Sequence, residues 1–240
     1  MGNKRVIITG GSRGIGAECV RVFSALSHRV AFIYKSSDEC AQALSAETGA
    51  VCIKADLSKP DEAFSAIESA RTALGGVDVL INNAGVSHTG LFTDMSYEQY
   101  RHVMATNFDS AVCCTQAVLP YMIRQQSGKI INISSMWGEV GASCEVIYSA
   151  SKAAMIGFTK ALAKEVGPSG INVNCITPGV IDTEMNRELD SEAIKALCEE
   201  TPLCRMGRAG EVAETVLFLA SDNASFITGQ VIGVNGGIVM

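Results

Sequence analysis

The run from Arg5 to Thr9 is β-branched and apolar with no alternation, and it passes directly into Thr9-Gly10-Gly11-Ser12-Arg13-Gly14-Ile15-Gly16. A strand that is apolar at successive positions has both faces buried, the condition of a parallel sheet covered on each side by helices. The helical run that follows, to about Ser27, supplies one such cover. Glycines at the turn between strand and helix let backbone amides approach an anion, and the positive end of the helix favours a pyrophosphate there. Few architectures accept this opening.

The pattern then repeats. Strands are predicted at Arg29 to Tyr34, Ala50 to Lys54, Val77 to Ile81, Lys129 to Ser134, Gly170 to Ile176 and Gln230 to Val234. Helices are predicted at about Pro60 to Leu74, Tyr97 to Arg124, Tyr148 to Val166 and Glu211 to Ala220. Strands alternating with helices predict an α/β fold with a doubly wound parallel sheet, right-handed crossovers and the ligand at the carboxyl ends of the strands. No linker interrupts the 240 residues, so a single domain over 1–240 is expected, with the charged, partly helical and strand-free segment at about 184–208 as a lid. Asn107, inside the long predicted helix, is unfavourable there by propensity; it either faces solvent or breaks the helix locally and holds a water.

Composition removes several function classes. Hydrophobic residues at 48% against charged residues at 18% exclude a disordered chain. A formal net charge of -6, with no basic stripe interleaved with aromatics, argues against nucleic acid. No long uninterrupted apolar window marks a membrane span, and the first residues run into a strand instead of a signal-like segment, so a soluble, cytoplasmic protein is expected. The nine cysteines lack metal-ligand spacing, and His28, His88 and His102 do not cluster, so no metal is expected.

The chemistry-bearing stretch is Ser135 to Lys152. Tyr148 and Lys152 stand four apart at the start of a predicted helix, so both project from one face. A neighbouring ammonium is expected to pull the phenol below its usual value of about 10, towards an acid that works near neutrality. Ser135, ending a strand, would bring a second hydroxyl to the same pocket. At the end of the second strand, where an acidic residue would read the 2'-hydroxyl of NAD, the chain has Lys35-Ser36-Ser37. With Arg13 in the glycine turn, two cations are set to meet a 2'-phosphate, which predicts NADPH over NADH. Trp137, Cys144 and Glu145 lie in the intervening loop and are expected to line a substrate pocket, where Glu139 or Glu145 would suit a small polar or cationic ketone.

Thr9-Gly10, Gly14-Ile15-Gly16, Asp56, Asn82-Asn83-Ala84-Gly85, Asn107, Ser135, Tyr148, Lys152 and Pro178-Gly179 with Thr183 follow one another in an order that resembles the short-chain dehydrogenase/reductase family over the whole chain. The resemblance implies a three-layer Rossmann fold with a seven-stranded parallel sheet, commonly in a homotetramer that uses the helices starting near Tyr97 and Tyr148. It implies that Tyr148 protonates the substrate oxygen, Ser135 polarises the carbonyl, Lys152 holds the nicotinamide ribose, and Asn107 holds a water linking Lys152 to solvent. A dinucleotide would lie along Gly10, Ser12, Arg13, Gly14, Ile15, Gly16, Lys35, Asp56, Leu57, Asn83, Ala84, Gly85, Pro178, Gly179, Ile181 and Thr183.

Within the family, the opening Gly-Gly-Ser-Arg-Gly-Ile-Gly and the closing Val-Asn-Gly-Gly are most similar to the 3-oxoacyl-(acyl-carrier-protein) reductases. Those enzymes tend to carry basic docking residues where this chain has Gln126 and Ser169, although Arg124 and Lys129 are near. The loop from Trp137 also resembles reductases of an aminopentanone attached to elongation factor P. A dinucleotide-binding regulator without catalysis, and an enzyme working as an alcohol dehydrogenase, are the other readings.

Overall fold

A computed structural model describes residues 3–186 and 191–240. Its elements alternate as β1 (Arg5–Thr9), α1 (Gly14–Ala25), β2 (Arg29–Tyr34), α2 (Asp38–Thr48), β3 (Val51–Lys54), α3 (Pro60–Leu74) and β4 (Val79–Asn82). They continue as α4 (Tyr97–Met104), α5 (Ser110–Gln125), β5 (Gly128–Ile133), α6 (Trp137–Val140), α7 (Val146–Val166) and β6 (Ile171–Pro178). The last are β7 (Ile181–Asp182), α8 (Ser191–Glu200), β8 (Gly207–Arg208), α9 (Ala209–Ala220) and β9 (Val231–Val234).

Seven strands form one parallel sheet in the order β3-β2-β1-β4-β5-β6-β9. The lack of alternation in β1 now has its reason: Val6 and Ile8 face a core with α1, α2 and α9, whereas Ile7 faces one with α3, α5 and α7. All three side chains are fully buried. The three-layer, doubly wound Rossmann architecture is therefore present. Strand order reverses about β1, which pairs with β2 on one side and β4 on the other. In sheets of this kind the ligand site lies at the carboxyl ends of the strands, at the point where the order reverses.

Three details concern the elements expected from the sequence. The segment thought to lack a strand contains β8, paired in parallel with β7; two residues on each side are too few to leave a periodic signal. The helix expected from Tyr97 to Arg124 is interrupted by a π-helical turn, Ala105–Asp109, around Asn107. In the segment expected to act as a lid, residues 187–190 lie outside the described residues; the rest holds a short 3₁₀ turn, Glu184–Asn186, then α8 and turns leading to β8.

Ser27 takes φ 62°, the left-handed conformation that a glycine favours, and His28 after it is buried. The His28 Nδ1 accepts the Lys4 backbone N–H at 3.0 Å, and its ring packs on Phe23 with centroids 5.6 Å apart. Burial, and then the Lys4 charge, push the imidazole below its ordinary 6.5. A histidine with a depressed folded pKa binds its proton more readily when unfolded, so its contribution is present above about 6.5 and is lost as pH falls below that value. Thermal unfolding of wild type should therefore lose stability between about pH 6.5 and 5 more steeply than His28→Asn. Parallel profiles for the two proteins would contradict this account.

Candidate active site

The serine, tyrosine and lysine converge because α7 is fastened to the end of β5. Ser134 Oγ donates to the Lys152 carbonyl at 2.7 Å. At Gly138, just inside α6, an added Cβ would stand 2.8 Å from the Lys152 carbonyl carbon and from Ser134 Oγ, so only glycine allows that approach. Ser135 Oγ accepts the Trp137 N–H at 3.2 Å, and its hydroxyl lies close enough to the Tyr148 phenol to act on its pKa. Tyr148 and Lys152, one turn apart, are 8% and 4% exposed.

Lys152 Nζ donates to the Ile133 carbonyl at 2.9 Å and lies 5.8 Å from the centre of the Tyr148 ring. An ammonium has three N–H donors, so the bond to Ile133 leaves capacity for hydroxyl acceptors at this buried spot. The expected lowering of the tyrosine pKa is not what this environment produces. Burial pushes Tyr148 up to about 12, opposed by the Ser135 hydrogen bond and reinforced by the charge of Glu145. The same burial lowers Lys152 to about 8. Desolvation of both groups outweighs their mutual attraction because the ammonium is directed to a backbone carbonyl and lies several ångströms from the phenol.

Asn107, 1% exposed, occupies the π turn and clamps the loop after β4. Its Nδ2 donates to the Val86 carbonyl at 2.9 Å and to Ser151 Oγ at 3.0 Å, while Oδ1 accepts the Val86 N–H at 2.8 Å. Asn107 Oδ1 and Lys152 Nζ both stand 3.3 Å from where a Cβ on Gly85 would lie, which brings Gly85, Asn107 and Lys152 together.

The glycine turn is locked from behind. Thr9 Oγ1 accepts the N–H groups of Asn83 and Ala84 at 2.9 and 3.0 Å, and Asn83 Nδ2 donates to the carbonyls of Thr9 and Gly10. Gly10 and Gly14 have φ of 64° and 53°. α1 begins without a capping side chain and without an acid in its first turn, so its leading amides carry no internal anion. Ser12 and the half-buried Ile15 belong to this turn. Both cations expected to read a phosphate are held by carboxylates: Arg13 Nη1 to Glu184 Oε2 at 2.7 Å, and Lys35 Nζ to Asp56 Oδ2 at 2.9 Å. Ser58 and Lys35 hold Asp56 down at about 2 against the effect of burial. Leu57 and Ile181 are buried in the two cores. The Pro178 carbonyl accepts the Met136 N–H, Gly179 N–H donates to Val234, and Thr183 lies against Gly14.

On the substrate side, Trp137 opens α6, and Cys144 takes φ 62° with its carbonyl accepting the Gly90 N–H at 2.8 Å. Cys144 borders a small depression with His88, Phe92, Val146 and Ile147. Glu145 is half-buried and its carboxyl is raised by burial, whereas Glu139 is exposed. Three features escaped sequence reasoning. One is Cys175, a buried thiol near Lys152 pushed up to about 11 by burial. Another is Glu184, whose pairing with Arg13 spans 171 positions. The third is a cavity of about 180 Å³ between Gly179, Ile181, Thr201, Leu203, Arg205 and Asn235, which none of the four catalytic candidates lines. No local pattern announces contacts made across such separations.

Among the described residues there is no group of His, Cys, Asp or Glu able to hold a metal. No described helix is long and apolar enough to cross a membrane.

Comparison with known proteins gives one picture. A family model described as enoyl-(acyl carrier protein) reductase matches residues 10–239. The chain is 41% identical to a 3-oxoacyl-(acyl-carrier-protein) reductase of Chlamydia trachomatis, over 98% of this chain and 97% of the relative. It is 40% identical to an acetoacetyl-CoA reductase of Shinella zoogloeoides, over 96% of each. Its fold superposes with a TM-score of 0.92, at 35% identity over 99% of this chain and 98% of the other, on a blue fluorescent protein from a metagenomic library crystallised with NADPH. These relatives lend no support to the elongation-factor or non-catalytic readings. The seven-stranded sheet, the positions of Ser135, Tyr148 and Lys152, and similarity along nearly the entire length agree: the chain belongs to the short-chain dehydrogenase/reductase family.

Proposed function

We propose that the protein reduces a ketone to a secondary alcohol with NADPH, and that its substrate is a 3-oxoacyl thioester. The observation that carries the reading is that two buried hydroxyls, Ser135 and Tyr148, lie together with a buried ammonium, Lys152, one turn away. Two convergent O–H donors suit a carbonyl oxygen that gains negative charge. Reduction of an enoyl thioester also develops charge on an oxygen, that of its enolate, so the ketone is chosen over the double bond by the relatives named for 3-oxoacyl and acetoacetyl substrates.

The uncapped start of α1 and the glycine turn suit the phosphates of a dinucleotide, and the unspent donors of Lys152 suit ribose hydroxyls. Bound there, NADPH would supply the hydride. Ser135 donates a hydrogen bond to the substrate oxygen and orients the carbonyl. Tyr148 Oη transfers its proton to that oxygen as charge develops, and Lys152 steadies the phenolate left behind. Asn107 fixes the loop carrying Gly85 and thereby the wall against which Lys152 is held.

Relatives named for acyl-carrier and CoA thioesters support a thioester. Docking of an acidic carrier has less support: Lys129 Nζ is engaged with Asn172 at 2.7 Å, and Arg124 stacks on Tyr121 at 4.9 Å. Exposed Ala150, Ala153, Gly157 and Ala161 leave one side of α7 low enough for a second copy to pack closely, which supports a homotetramer. We place the enzyme in the cytoplasm and read the segment from Glu184 to Arg208 as its substrate lid.

The test is NADPH consumption with acetoacetyl-CoA beside crotonyl-CoA, with NADH as control. Turnover of the ketone at least about tenfold faster than of the enoyl thioester is expected. The reverse order would move the assignment to double-bond reduction.

A further inference from the structure

Arg13 has a partner that dinucleotide binding must address. Its Nη1 is 2.7 Å from Glu184 Oε2, and the two side chains are 53% and 37% exposed. The contact is made at two points, since Thr183 Cγ2 lies 3.4 Å from where a Cβ on Gly14 would stand. The segment leaving β7 thus rests on the anion-binding turn itself and places a carboxylate on its guanidinium.

Lys35 is paired in a different way. Its partner Asp56 is 19% exposed and is anchored by the Ser58 N–H at 3.2 Å and the Ser58 hydroxyl at 2.6 Å. The more exposed Arg13–Glu184 pair is held at the surface, where an ion pair contributes little and is easily exchanged.

We propose that Glu184 is an internal competitor for the 2'-phosphate: its carboxylate occupies Arg13, and a phosphorylated dinucleotide binds by taking Arg13 from it. The inference rests on the reading that Arg13 meets that phosphate. A guanidinium exchanges a carboxylate for a phosphate readily, because both fit its planar fork and the phosphate carries more charge. Glu184 thereby sets cofactor selectivity, since the carboxylate must be displaced only when Arg13 is used.

The experiment is equilibrium binding of NADPH and of NADH to the full chain, followed by nicotinamide fluorescence, for wild type, Glu184→Gln, Arg13→Ala and the double variant. Glu184→Gln is isosteric and half-exposed, so the fold is retained; thermal unfolding of each variant confirms it. The expected result is NADPH binding about two- to fivefold tighter in Glu184→Gln, NADH changed by less, and no gain in the Arg13→Ala background. Unchanged or weaker NADPH binding in Glu184→Gln, with Arg13→Ala weakened, would overturn the competitor and leave the phosphate reading intact. An equal gain for both dinucleotides would also overturn it, as a general effect of charge. NADPH binding unaffected by Arg13→Ala would remove the phosphate reading and the proposal with it.

Discussion

Tyr148→Phe is expected to slow ketone reduction by about 10²- to 10⁴-fold, the usual worth of a positioned general acid, while NADPH binding falls far less. The phenol oxygen is the atom lost, from the buried site that Tyr148 shares with Ser135 and Lys152. Ser135→Ala should show a smaller loss, because the remaining donor still transfers the proton. The pH profile gives a second reading. At about 12 the buried tyrosine holds its proton throughout any practical assay, so it contributes no alkaline limb. Lys152, lowered to about 8 by burial, loses its charge as pH rises through that value, and with it the support for the developing phenolate. Reduction by wild type should therefore decline above about pH 8. A Tyr148→Phe enzyme retaining more than a tenth of the wild-type rate would remove Tyr148 as the acid.

The same numbers carry a stability consequence. A lysine whose folded pKa is depressed binds its proton better when unfolded, so burying the ammonium costs stability, fully below about pH 8 and not at all above the unfolded value of 10.5. The site is held together against that cost by the packing of α7 on β5.

Gly16→Ala should cost at least about 3 kcal/mol and lower the melting temperature by about 6–12 °C, with loss of dinucleotide binding. Its added Cβ would lie 2.2 Å from the Gly10 carbonyl oxygen and 2.6 Å from Asn83 Nδ2. The first atom is backbone, and the second donates to the Thr9 and Gly10 carbonyls, so neither moves without opening the turn. Gly210→Ala, at the start of α9 where nothing lies within 4 Å of the added atom, is the control and should melt no lower than wild type. Calorimetry of the two variants checks this; equal melting temperatures would show that the glycine turn relaxes freely.

The family-like motifs and the fold were legible because each depends on residues close in sequence. Unbroken apolar strands such as β1 and β4 state that both faces are covered, and glycines at φ near 60° mark a turn that other residues adopt only with strain. Tyr148 and Lys152 share a face because four residues make one helical turn, and that spacing needs no tertiary contact.

Solvation and partnership were not legible. The direction of the Tyr148 shift depends on how much protein surrounds the phenol, and the sequence shows the neighbouring charge without showing the burial that opposes it. Arg13 and Lys35 read as free cations because Glu184 and Asp56, 171 and 21 residues away along the chain, meet them only after the sheet has assembled. Local order follows from backbone sterics and hydrophobic period, which act over a few residues; the charge state and partner of each site group are settled by desolvation and long-range contact, which exist only in the folded chain.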